Sequence, residues 1–91
     1  MAVYVDNLFD YGWHLGRSCH MFADTEAELH TLADKIGMRR SWYQANSFVP
    51  HYDLTARRRR AAVEAGAIEL DRRQAAAVRK RLRLTHQAPI C

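Results

Sequence analysis

Chain-breaking and cross-linking residues are scarce here: two prolines, four glycines and two cysteines in 91 residues. Cys19 lies in an alternating apolar stretch and Cys91 is the last residue, so the two do not read as a disulfide framework and are expected to be free thiols. No apolar run approaches the roughly 20 residues that span a bilayer. The first residues also lack a basic-then-apolar export pattern, so a cytoplasmic protein with no membrane partner is expected. The common catalytic signatures are missing as well: no glycine-rich phosphate loop, no GxSxG, no HExxH, no paired CxxC and no Cys-His pair with triad-like support. Any catalysis is left to histidine and aspartate. What remains is ordinary globular composition, 48% hydrophobic and 26% charged. This length holds one domain, read as residues 1–84 with a flexible tail over 85–91. A partner chain could complete the core or site of so small a domain, so a homo-oligomer is compatible with the sequence.

Charge is segregated. Residues 1–56 carry four Lys/Arg against seven Asp/Glu, net −3; residues 57–91 carry ten against three, net +7. The overall +4 therefore conceals a dipolar chain whose basic half can meet nucleic acid, another polyanion, an acidic partner, or the acidic half of its own fold.

Met1 to Val5 is a short β-branched and aromatic run ending in Asp6, which reads as a first strand. Residues 7–17 carry no period and read as a loop whose Tyr11 and Trp13 either cap the core or cover a ligand. Ser18 to Ala23 alternates, with Cys19, Met21 and Ala23 on one face, and predicts a second strand ending at Asp24. Thr25 and Glu28 form a capping box for a helix with Leu29, Leu32, Ala33 and Ile36 on one side, closed by Gly37. Arg40 to Gln44 is assigned a third strand. Asp53 or Thr55 caps a second helix ending at Gly66, Ala67 to Leu70 gives a fourth strand, and Asp71 with Gln74 opens a third helix. This order predicts a small α/β fold of two or three layers, with about four mainly parallel strands and three helices.

Ligands in such sheets gather beyond the carboxyl ends of the strands. That places Asp6, Asp24 and the segment His51, Tyr52, Asp53 together as a candidate ligand-binding site, with His20 beside them. Four arginines follow at 57–60. They fan through about 300° of a helical wheel, so they cannot share one ligand. Arg57 lies at the margin of the Leu54, Ala61, Ala65 stripe and Arg58 within it, where a guanidinium needs a partner. For Arg58 the alternatives are a buried ion pair with Asp53, Asp24 or Asp6, or an anion clamp. No cofactor signature is present. A divalent metal on His20, Asp24, His51 and Asp53 is the lesser reading, supported by the His51-x-Asp53 spacing alone. His30 is read as a surface or boundary residue.

The residues Ala2-Val3-Tyr4-Val5-Asp6, Ser18-Cys19-His20 with Asp24, Glu28-Leu29-His30, Ile36-Gly37, His51-Tyr52-Asp53 and Ala65-Gly66-Ala67 jointly resemble a small phage and bacterial family, a domain of unknown function, over about residues 1–70. In that family His-Tyr-Asp continues with Ile/Leu-Ser and a Lys-Arg pair; here Thr55 stands for the serine and Arg58-Arg59 for the pair. The resemblance implies a phage or bacterial accessory protein of the cytoplasm and brings no activity with it.

Three functions fit these residues. The first is non-catalytic binding of a nucleotide-like or phosphorylated small molecule, sequestering it, with histidine, aspartate and arginine for the phosphate and aromatics for a base. The second is nucleic-acid binding through Arg72, Arg73, Arg79, Lys80, Arg81 and Arg83 of the third helix. The third is a metal-dependent phosphodiesterase or nuclease.

Overall fold

The computed structural model describes residues 2–14 and 16–86. Four strands, β1 (Val3–Val5), β2 (Ser18–Ala23), β3 (Tyr52–Thr55) and β4 (Ile68–Glu69), form one sheet in the order β3-β2-β1-β4. The helices are α1 (Glu26–Lys35), α2 (Ala56–Glu64) and α3 (Arg72–His86). The α/β class with four strands and three helices is as expected, but the sheet is mixed rather than mainly parallel. β1 pairs β4 in parallel, whereas β2 runs antiparallel to both β1 and β3. Three strands thus share a direction, and the one against them is inserted in the middle.

The sheet lies between two helical layers. On one side Val5, Cys19, Met21, Tyr52 and Leu54 pack with Leu29, Leu32 and Ala33 of α1 and Ala62 of α2. On the other, Tyr4 and Phe22 pack with Leu70 and with Ala75 and Leu82 of α3. β2 is therefore covered on both faces, which explains why its cysteine, methionine and phenylalanine are all fully buried.

Helix ends follow their capping chemistry. Thr25 Oγ1 caps α1 by accepting from the Glu28 N–H, and its hydroxyl donates to the Glu28 carboxylate. Before α3 the Asp71 N–H donates to Gln74 Oε1 and the Gln74 N–H donates to Asp71 Oδ1, the reciprocal pair of a capping box. Thr55, rather than Asp53, caps α2 by accepting from the Arg58 N–H. Gly37 ends α1 with φ 77°, a backbone conformation that favours glycine, and a Cβ there would come within 3.3 Å of Arg58 Nη1 and press on that side chain.

One further expectation is corrected. Arg40–Trp42 is a single 3-10 turn, not a strand. The extended piece that completes the edge is instead the Gln44 to His51 bridge beside β3. α3 continues to His86, beyond the expected end of the domain at 84; the rest of the proposed tail, with Cys91, lies outside the described residues. Among the described residues no helix is long and apolar enough to cross a membrane.

Leu54 is fully buried between β3 and the α1/α2 layer, whereas Leu84 is 64% exposed on α3. Leu54→Ala should cost about 2–5 kcal/mol in urea unfolding, and Leu84→Ala should stay within about 0.5 kcal/mol of wild type. Equal effects would contradict this layering.

Candidate functional site

Period-two alternation decides which side chains meet. Cys19, Met21, Tyr52 and Leu54 turn toward α1 and α2, so His20, Phe22, His51 and Asp53 turn the other way. Register then aligns them: His20 lies opposite Asp53 across the β2/β3 pair, and the Asp6 N–H donates to the His20 carbonyl at 3.2 Å. A carboxylate, an imidazole and a second carboxylate form a row across three strands.

Asp6 is buried. Its carboxylate accepts from the His20 backbone N–H at 2.7 Å, from His20 Nδ1 at 2.8 Å and from Arg79 Nη1 of α3 at 2.9 Å. Burial alone would raise the Asp6 pKa; the hydrogen bonds from His20 and the charges of His20 and Arg79 outweigh it and hold the carboxyl below 3.8. The same bond to Asp6 raises the His20 pKa above 6.5, against the opposing effect of burial.

His51 stands beside this row, its ring 4.9 Å from that of His20 and nearly perpendicular to it. His51 Nδ1 lies 2.9 Å from the Val49 carbonyl. Asp53 Oδ1 lies 3.4 Å from His51 Nε2 and 3.9 Å from His20 Nε2, while Asp53 Oδ2 accepts from the Gln44 side-chain amide. Tyr11, in the loop after β1, sets its ring edge-on 5.6 Å from His20.

Two open cavities flank the cluster. One, of about 540 Å³, runs between α3 and the sheet, where Arg79, Lys80 and Arg83 face His20, His51 and Phe48. The other, of about 840 Å³, lies beside edge strand β3 and is lined by Trp13, Trp42, Gln44, Asp53, Arg57 and Arg58 among others.

The structure gathers Asp6, His20, His51 and Asp53 and separates other expected members. Asp24 is at the opposite end of the sheet because β2 runs against its neighbours; it binds the Ala2 N–H, Tyr4 Oη and Arg81. It therefore leaves the proposed ligand and metal sets. Tyr52 points into the α1 layer, its hydroxyl 2.8 Å from His30 Nδ1, and His30 is buried rather than at the surface. Among the described residues Arg58 pairs with no carboxylate: it donates to the Ile36 carbonyl at 2.6 Å and lies over the Trp42 ring. Arg57 has no hydrogen-bond or ion-pair partner among the described residues and lines the larger cavity.

The basic residues of α3 divide. Arg79 and Arg81 are held by Asp6 and Asp24, whereas Arg72, Arg73, Lys80 and Arg83 are exposed. Sequence reasoning missed Gln44 and Trp42 as lining residues and Arg59 as a tie between α2, the Asp6 carbonyl and Glu69. Its one available signal was their proximity to the His51 to Arg60 segment. Cys19 takes no part: burial pushes its thiol up to about 12.

The chain belongs to the family described as protein of unknown function (DUF4031), which matches residues 3–82 and so reaches into α3, beyond the resemblance seen over residues 1–70. No curated protein and no solved structure matches it.

The Asp6–His20 pair imposes a pH window. His20 has a folded pKa above 6.5, so its contribution is full below that value and is lost as pH rises through the folded one. Asp6 has a folded pKa below 3.8, so its contribution is present above that value and is lost as pH falls through the folded one. The pair contributes most between these limits. In chelator-treated protein, the stability lost on Asp6→Asn should be larger near pH 5.5 than near pH 8.5; a loss independent of pH would show that the pair is not coupled as described.

Proposed function

We propose that this DUF4031 protein is a non-catalytic accessory protein of a phage or bacterial cytoplasm that holds, and so sequesters, a nucleotide-like or phosphorylated small molecule in the cavity beside β3. The observation that carries this reading is Arg57 at the positive end of α2, facing a cavity walled by two indoles. The first turn of α2 contains no acidic residue. Arginines there add positive charge to the positive pole of the helix, which is unfavourable unless an anion is near. Arg58 and Arg59 relieve this by donating to the carbonyls of Ile36 and Asp6; Arg57 has no such relief among the described residues. A phosphate at Arg57 would supply it.

The remainder of the cavity suits an aromatic group. Its volume of about 840 Å³ falls in the ordinary range of small-molecule sites. Trp13 and Trp42 offer faces for stacking, worth about 1–3 kcal/mol per base, and Gln44, Asp53 and Thr55 offer polar edges. A second reading, nucleic-acid binding, rests on the exposed Arg72, Arg73, Lys80 and Arg83 of α3. It is the weaker one, because Arg79 and Arg81 are already neutralised by Asp6 and Asp24.

A panel of nucleoside mono-, di- and triphosphates, with inorganic phosphate and a single-stranded oligonucleotide as comparators, tests both readings. At least one nucleoside phosphate should raise the melting temperature and quench tryptophan fluorescence. Arg57→Ala should then weaken it about 10-fold or more, in keeping with about 1.5–3 kcal/mol for a charged hydrogen bond. Unchanged melting throughout the panel in well-folded protein would refute small-ligand binding. Oligonucleotide binding lost on neutralising Lys80 and Arg83 would transfer the function to α3.

A further inference from the structure

We propose that His20 Nε2, His51 Nε2 and Asp53 Oδ1 form a binding site for one divalent transition-metal ion, with the remaining coordination positions open to the groove under α3. The site does not depend on the nucleotide reading, since neither Trp13, Trp42 nor Arg57 takes part in it.

One donor atom from each of the three residues lies within 4.8 Å of the other two. An ion at about 2.0–2.2 Å from each donor, in tetrahedral geometry, sets donors roughly 3.3 Å apart. The pairs from Asp53 Oδ1 to His51 Nε2 and to His20 Nε2 stand at 3.4 and 3.9 Å. The donors are close enough for side-chain adjustment, with the strands unmoved, to bring all three to one ion.

Proximity alone would be weak support; the orientation of the three residues is what argues for a site. Each ligand is held at its far side by a different group. His20 Nδ1 is bonded to the Asp6 carboxylate, His51 Nδ1 to the Val49 carbonyl and Asp53 Oδ2 to the Gln44 amide. A carbonyl only accepts, so His51, when its ring is neutral, carries its proton on Nδ1 and presents a lone pair at Nε2. A carboxylate behind His20 likewise fixes Nδ1–H when the ring is neutral and enriches Nε2 as a donor, as in carboxylate–histidine–metal arrangements. Both Nε2 atoms then face Asp53 Oδ1. Neither imidazole is sealed in: the side chains of His20 and His51 are 30% and 16% exposed, which leaves an entry path.

The donor set selects the ion. Two imidazoles and one carboxylate suit zinc, cobalt(II), iron(II) or manganese(II) better than calcium or magnesium, which prefer oxygen alone. Arg79, bonded to Asp6, and the neighbouring Lys80 and Arg83 raise the local positive charge. An anionic or water oxygen is therefore the favoured occupant of an open position.

Zinc and cobalt titration of the untagged full-length chain, stripped of metal and free of nucleotide, tests the assignment. One equivalent of zinc should bind with micromolar affinity or tighter, and cobalt should develop visible bands from nitrogen and oxygen ligands. His51→Ala and Asp53→Asn should abolish this, His14→Ala on the exposed loop should not, and Gln44→Leu should weaken it by about 10- to 100-fold through loss of the group orienting Asp53. Should the ligand variants fail to fold, nitrogen NMR of the wild-type imidazoles decides: zinc must shift Nε2 of His20 and His51 together. Absence of binding by folded wild type, stoichiometric binding in folded His51→Ala or Asp53→Asn, or shifts confined to other histidines would overturn the site. Because no nucleotide is present, failure here leaves the small-ligand reading standing, and the converse holds.

Discussion

The buried carboxylate of Asp6 is the point through which four elements are joined. It ends β1, accepts two bonds from His20 of β2 and one from Arg79 of α3, and its backbone carbonyl accepts Arg59 Nε of α2 at 2.8 Å. A carboxylate removed from water is costly unless its oxygens are occupied, and here both are. Removing any one donor would leave charge in a low-dielectric site. This makes the position of α3 over the sheet, and the orientation of His20, consequences of a single residue. The apolar contacts of Ala75 and Leu82 with Tyr4 and Phe22 hold α3 on the sheet, and the Arg79 bond to Asp6 adds a directional constraint that such contacts lack.

The arginine run acquires a different meaning in this light. Arg58 and Arg59 act chiefly as structural ties, each reaching a main-chain carbonyl on another segment, at the end of α1 and of β1. A guanidinium suits that task because its planar fork of donors needs acceptors and is less strongly hydrated than an ammonium. The α1 tie also places a cation at the negative pole of that helix. Of the three arginines in the first turn of α2, only Arg57 is left facing a cavity without a partner among the described residues. The electrostatic surplus of the basic half is thus partly spent inside the molecule, as the charge dipole of the sequence allowed.

The two cavities meet at Asp53, whose side chain lines the larger one while its carboxylate faces His20 and His51 of the smaller. Gln44 holds one of its oxygens from the bridge next to β3. A ligand beside Trp13 and Trp42 and an ion at the histidines would therefore share one residue as a common wall. That arrangement comes from an edge strand two-sided in chemistry: Tyr52 and Leu54 belong to the core, His51 and Asp53 to the site.

Local chemistry was sufficient for much of this in the sequence. Capping pairs at Thr25 and Asp71, glycine at 37 and the alternation of β2 could be read because each rests on neighbours in the chain or on period-two geometry; the candidate group drawn from the strand ends also held Asp24 and Tyr52, which lie elsewhere. Tertiary structure decided the rest. Whether β2 ran with or against β1 depended on long-range pairing that no local pattern encodes, and that reversal sent Asp24 to the far end with Arg81. Propensity favoured a strand at Arg40 to Gln44, but the chain makes a 3-10 turn before bridging at His51. The acceptor of Arg58 was likewise invisible, since a main-chain carbonyl carries no residue-type signature. Residue identity determined which groups could bind; strand direction determined which of them met.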